Sequence, residues 1–127
     1  MRAALVLAAG QSRRFGTADK LLVPVEGRPM LTHALEAARP AAGLRLATVS
    51  SEPVAALVRA HGFQPVPVPA GAPQSASLRV GLAAARQHGA TQLLVLLGDM
   101  PFVQATDVAA LLALARAARR RSAPIRA

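Results

Sequence analysis

At 127 residues the chain suits one domain, long enough to bury about two-thirds of its unfolded surface, and its 53% hydrophobic content excludes a disordered polymer. The absence of cysteine rules out disulfides, thiolate zinc sites and a cysteine nucleophile, and three Phe with no Trp or Tyr leave Leu, Val and Ala to build the core. The net charge of +9 raises nucleic acid as a partner, but the charge is Arg scattered along an Ala-rich chain, bunched only at Arg13-Arg14 and Arg119-Arg120-Arg121, with no aromatic side chains beside it to stack bases.

In chain order, residues 3–8, "AALVLA", read as a buried strand. Residues 9–28 read as one long loop holding Gly10, Gly16, Pro24 and Gly27, and loops of that length inside a compact domain are usually functional. Pro29 suits the first position of a helix whose Met30, Leu31, Ala34, Leu35 and Ala38 share one face and which Pro40 ends. "LRLATVS", 44–50, is a second strand, and a helix follows from near Pro53 to Gly62. "QPVPVP", 64–69, is extended, with prolines that suit a sheet edge. "SASLRVGLAAARQHG", 75–89, is a helix with Leu78, Leu82 and Ala85 on one side, ending at Gly89. "TQLLVLLGD", 91–99, is a buried strand running into Gly98-Asp99, and 105–118 is a last helix capped by Thr106, followed by a disordered basic tail over 118–127.

Strands alternating with helices predict a mostly parallel sheet covered on both faces, a three-layer α/β sandwich. The first apolar run, with one Arg before it, reads as a strand and not as a signal peptide. The longest apolar run, Leu93 to Leu97, is far short of the ~20 residues of a membrane span. A cytoplasmic location is the default expectation.

Ligands of such sheets bind outside the carboxyl ends of the strands. Two charged, glycine-bearing loops sit at such ends, 9–20 and 98–104. In the first, glycine lets backbone N–H groups approach an anion, and Arg14 and Lys20 add fixed positive charge, a set that suits a triphosphate. The competing reading is a solvated turn. Neither a Walker A loop nor a G-x-G-x-x-G fingerprint is present. In the second, "LLGDMPFV", Asp99 is the one carboxylate of the chain's six placed at a strand end where it could hold Mg²⁺; a capping or turn aspartate is the alternative. His33, His61 and His88 lie in or at the ends of helices with no metal-pair spacing, and Ser12 and Ser77 have no His-acid set beside them, so they read as hydrogen-bond donors. Chemistry without a protein nucleophile is what metal-assisted phosphoryl-type transfer needs.

"LAAGQSRRFGTADKLLVPVEGRPML", "SASLRVGL" and "LLGDMPFV", in that order, resemble the three signatures of the MobA-like NTP transferases, across residues 3–103. Ala9 is similar to the molybdenum cofactor cytidylyltransferase branch, where the guanylyltransferase branch has a second glycine. The resemblance implies a Rossmann-like, nucleotide-diphospho-sugar transferase-like sandwich that transfers CMP from CTP to the phosphate of molybdopterin cofactor and releases pyrophosphate. It implies that Ala8, Ala9 and Gly10 line the nucleotide with Ser12, that Arg14 and Lys20 grip the phosphates, and that Ser77 lies near base or ribose. It also implies that Gly81 permits close helix packing and that Asp99 holds Mg²⁺. Family members usually continue beyond the position of Ala127, with further strands, much of the acceptor pocket and another acidic metal ligand. The nucleotide half is therefore expected to bind better than it turns over. Transfer to another small phosphate, a nucleotide-binding module without turnover, and a homo-oligomer that completes its sheet stand as alternatives.

Overall fold

Residues 3–8 carry no polar side chain, so their backbone groups can be satisfied only by strands on both sides. In the computed structural model, which describes residues 1–9 and 20–121, β1 (Arg2–Ala8) has β4 (Leu44–Val49) on one side and β6 (Gln92–Leu97) on the other, both parallel to it. β5 (Gln64–Pro67) pairs in parallel with β4, which gives the order β5-β4-β1-β6. The prolines of β5 stand at an edge, as the sequence predicts, because proline has no N–H to give a second neighbour.

Alternation along β1 divides the core. Ala4, Val6 and Ala8 face α1 (Met30–Ala38), α2 (Glu52–Ala60) and α4 (Ala105–Arg121), whose Leu31, Leu35, Val54, Val58 and Val108 are buried with them. Ala3, Leu5 and Leu7 face the opposite way, with Leu46 and Ala85, beneath α3 (Gln74–Gln87). Each fully buried leucine or valine contributes about 1.5–3 kcal/mol. The three-layer sandwich with a parallel sheet is the architecture expected from the alternating elements.

α2 and α3 end alike, at His61-Gly62 and His88-Gly89. Both glycines have positive φ, so the chain turns back and the next N–H bonds a carbonyl of the last turn, Phe63 to Val58 and Ala90 to Ala85. The His61 and His88 Nδ1–H groups donate to the Leu57 and Ala84 carbonyls at 3.0 and 2.8 Å, which accounts for both residues as helix closures.

Four details depart from the sequence reading. The segment 9–28 is not a single loop: a short 3-10 turn spans Lys20–Leu22, and β2 (Pro24–Val25) and β3 (Arg28–Pro29) form an antiparallel hairpin. Its turn residues Glu26 and Gly27 both have positive φ, the two-residue geometry that matches strand twist. On α3 the buried stripe is Ser77, Gly81 and Ala85, while Leu78 is exposed. α4 is not capped by Thr106: Gln104 precedes it, and the Asp107 carboxylate accepts the Gln104 N–H at 2.9 Å. Residues 118–121 belong to α4, so the expected tail cannot begin at 118; 122–127 lie outside the described residues.

The hairpin is fastened to α1 by a buried histidine. His33 Nε2–H donates to the Val25 carbonyl at 2.7 Å, which leaves Nδ1 to accept from the Arg28 guanidinium at 3.3 Å. Arg28 also pairs through Nη1 with both carboxylate oxygens of Glu36. The Arg28 hydrogen bond holds the Glu36 carboxyl below its ordinary 4.5, against the opposing effect of burial. Folding therefore favours the ionised form: its stabilisation is complete above pH 4.5 and is lost as pH falls through the lowered value. Both partners are about half exposed, so the pair is worth less than about 1 kcal/mol. Glu36→Gln should lower the urea midpoint slightly at pH 7, and the difference should shrink as the pH is taken below 4.5; a constant difference across that range would assign the effect to packing instead.

Candidate functional site

The strand order explains where the chain can hold a ligand. From β1 the path steps outward through α1 to β4 and through α2 to β5, on one face of the sheet. It then crosses the other face in α3 and returns to β6, on the far side of β1. β1 and β6 thus end side by side with their connections on opposite faces, the place where a crevice opens at the carboxyl ends of such a sheet. Leu7, Ala9, Lys20, Leu21, Ala72, Pro73, Gln74, Ser77, Leu97 and Asp99 line a cleft of about 470 Å³ there. That lies within the ~300–1,000 Å³ of small-molecule sites.

Asp99 reaches the cleft because of Gly98. The Gly98 N–H donates to the Leu7 carbonyl at 2.9 Å, extending the ladder one residue past β6. A Cβ at Gly98 would lie 3.0 Å from that carbonyl and 3.0 Å from a Leu31 methyl, so only glycine lets the strand end this close to β1. Lys20 comes from the opposite wall. It opens the 3-10 turn anchored by buried Leu21, and the turn is held by Val23 N–H to the Lys20 carbonyl and Met30 N–H to the Val23 carbonyl. Lys20 Nζ and Asp99 Oδ2 are 3.9 Å apart, with both side chains about half exposed.

The third wall is the start of α3. Pro73 precedes the helix and no side chain among the described residues caps it; the N–H groups of Gln74 and Ser75 have no partner within the helix, and its positive end opens on the cleft. One turn in, Ser77 is 2% exposed and its hydroxyl has no hydrogen-bond partner among the described residues. A buried hydroxyl without a partner is uncommon, and at a cleft wall it suits a polar group of a ligand.

Of the residues singled out from the sequence, Ala9, Lys20, Ser77 and Asp99 converge on this cleft. Ala8 packs into the core below it, and Gly81 lies deeper along α3 against Leu5; neither lines the cleft. Gly10, Ser12 and Arg14 lie outside the described residues. Gln74 and the open start of α3 were missed; the signal was "APQS", a helix beginning after proline with no Ser, Thr, Asp or Asn at its cap.

For a metal, the carboxylate that the described residues bring to the cleft is Asp99, at a strand end. No group of three or more His, Cys, Asp or Glu side chains is gathered among the described residues, so no protein cage forms there. One carboxylate in a cleft that can admit phosphates fits Mg²⁺, which commonly takes one or two carboxylates and fills its octahedron with phosphate and water oxygens.

A parallel sheet with a polar cleft at its switch point, flanked by a lysine, an aspartate and a helix start, has its cleft where open α/β folds take their ligands. Residues 4–125 match the MobA-like NTP transferase domain, and the chain belongs to that family. It is 36% identical over 120 residues to the bifunctional protein GlmU of Cupriavidus taiwanensis, a match covering 91% of this chain and 26% of that protein. Rv0371c from Mycobacterium tuberculosis H37Rv superposes with a TM-score of 0.73 at 33% identity, covering 91% of this chain and 61% of the other; that protein has also been solved as a complex with manganese. The CMP:2-keto-3-deoxy-manno-octonic acid synthetase complexed with CTP shares the fold, with a TM-score of 0.69 at 24% identity over 92% of this chain and 48% of its own. The chain thus spans about a quarter of the curated relative and about half to three-fifths of the solved ones. No described helix is long and apolar enough to cross a membrane.

Proposed function

We propose that the chain forms the nucleotide side of a Mg²⁺-dependent, cytoplasmic nucleotidyltransferase that moves CMP from CTP to the phosphate of a molybdopterin-type cofactor. The observation that carries this reading is the convergence of Lys20, Asp99 and the Ser77 hydroxyl, which has no partner among the described residues, on one cleft at the β1–β6 switch point. In the reaction an acceptor phosphate oxygen attacks the α-phosphorus of CTP. The bond to the bridging oxygen of the β-phosphate breaks, and pyrophosphate leaves with that electron pair. The attacking atom belongs to the acceptor, so no protein nucleophile is required.

Each wall has a task. Lys20 supplies a point charge to the phosphates, joined in this reading by Arg14 and by the backbone around Gly10 and Ser12. Ser77 and the N–H groups of Gln74 and Ser75 offer hydrogen bonds to base or ribose. Asp99 would hold Mg²⁺, which when bound neutralises charge on the phosphates and helps the leaving group depart. CTP in the bound synthetase and manganese in the Rv0371c complex belong to those proteins; they support a nucleoside triphosphate and a divalent cation here.

The choice of CTP rests on Ala9, 3% exposed at the cleft wall, in the place where the guanylyltransferase branch has glycine. Competition binding with CTP and GTP in Mg²⁺ tests it. CTP should bind more tightly, and pyrophosphate release from CTP should require the molybdopterin acceptor. Tighter GTP binding would move the chain to the guanylyltransferase branch.

A further inference from the structure

Lys20 has its task at the phosphates and Asp99 at the metal, yet the structure joins the two to each other. We propose that Lys20 competes with the divalent cation for Asp99, so that metal and triphosphate bind as one coupled event. This inference rests on the proposed function and adds the order of events within it.

The geometry supports an exchangeable pair. Lys20 Nζ lies 3.9 Å from Asp99 Oδ2, and the two side chains are 44% and 47% exposed. Neither is locked by packing, and lysine carries its charge on a flexible four-carbon stem. Their backbones are firmly placed: Gly98 is hydrogen-bonded to Leu7, and the Lys20 turn is anchored through Leu21 and Val23. The heads can therefore part without any change of fold. Before nucleotide binds, a cation approaching Asp99 meets an ammonium group already at the carboxylate and gains few protein oxygens, since no acidic cluster surrounds it among the described residues. A triphosphate changes both conditions. It draws Lys20 to its own oxygens and supplies the missing ligands for the cation. By linkage, whatever factor the nucleotide adds to metal affinity, the metal returns to nucleotide affinity.

The two half-exposed partners set the size of the effect. Exposed ion pairs span from nothing to about a fivefold change in an equilibrium constant. The direct experiment measures Mn²⁺ binding to the full chain by the electron paramagnetic resonance of free Mn²⁺, with and without CTP. The proteins are wild type, Lys20→Met, Lys20→Arg, Asp99→Asn and Lys20→Met/Asp99→Asn, each checked for fold by circular dichroism. Without CTP, Lys20→Met should bind Mn²⁺ about two- to fivefold more tightly than wild type, whereas Lys20→Arg, which keeps the charge, should not. Adding Asp99→Asn should abolish the gain. The increase in Mn²⁺ affinity caused by CTP should be smaller in Lys20→Met than in wild type. Equal Mn²⁺ affinity in wild type and Lys20→Met, with binding still dependent on Asp99, overturns the competition and leaves the functional reading standing. Mn²⁺ binding that ignores Asp99 in every variant overturns both.

Discussion

Gly81→Leu should cost the protein about 3 kcal/mol or more, a large share of the roughly 5–15 kcal/mol that holds a domain together. α3 is the described helix that covers the Leu5 face of the sheet, and it does so through Ser77, Gly81 and Ala85, spaced one turn apart. A Cβ at Gly81 would stand 2.5 and 2.7 Å from the two methyl carbons of Leu5. Leu5 is fully buried in the central strand, so it cannot swing aside without disturbing its neighbours Leu46 and Ala85. Gly81→Ala recovers about 1 kcal/mol of helix propensity against its clash and should be mildly destabilising. Leucine regains nearly as much propensity but adds three further carbons to a seam already too tight for a Cβ, and lifting α3 would also displace Ser77 and Gln74 from the cleft. Gly43, with nothing within 4 Å of a built Cβ, is the control: Gly43→Ala should leave the urea midpoint nearly unchanged. An unchanged midpoint in Gly81→Leu would show that α3 does not sit as close to β1 as described.

Lys20→Ala should weaken CTP binding by about ten- to a hundredfold while the fold survives. Hydrogen bonds to charged groups contribute roughly 1.5–3 kcal/mol, and each 1.4 kcal/mol is about a factor of ten. Lys20 is about half exposed and its stem fills no part of the core, so circular dichroism and the urea midpoint should stay near wild type. Calorimetric titration with CTP in Mg²⁺ reads the change. Unchanged affinity in a normally folded Lys20→Ala would take the phosphates away from this wall. Removing the Lys20 charge should act in opposite senses, weakening the nucleotide in Lys20→Ala and tightening the free cation in Lys20→Met, a pattern that a general loss of structure would not produce.

Much of this was legible in the chain because apolar runs of strand length announce themselves. "AALVLA" and "QLLVLL" have few other ways to satisfy a buried backbone, and both became neighbouring parallel strands. Asp99 was legible for the same reason, as a carboxylate at the end of such a run. The phase of α3 was not. Hydrophobic periodicity selects Leu78 and Leu82, whereas the tight seam uses serine, glycine and alanine, whose value lies in being small. The β2–β3 hairpin was hidden because two-residue strands have no period to read. The part of His33 was hidden as well: its partners, the Val25 carbonyl and Arg28, come near it only once the hairpin folds back on α1. The cleft itself depends on β6 returning beside β1, a strand order that no local pattern encodes.

The central claim is that Asp99 and the opposing wall form one site for a metal-bound triphosphate, and a four-way calorimetric titration tests it most directly. CTP is titrated into wild type and Asp99→Asn, each in Mg²⁺ and in EDTA. Wild type should bind CTP about tenfold or more tightly in Mg²⁺ than in EDTA, and Asp99→Asn should bind with the same, weaker affinity in both. Mg²⁺-dependent CTP binding that survives Asp99→Asn would contradict it.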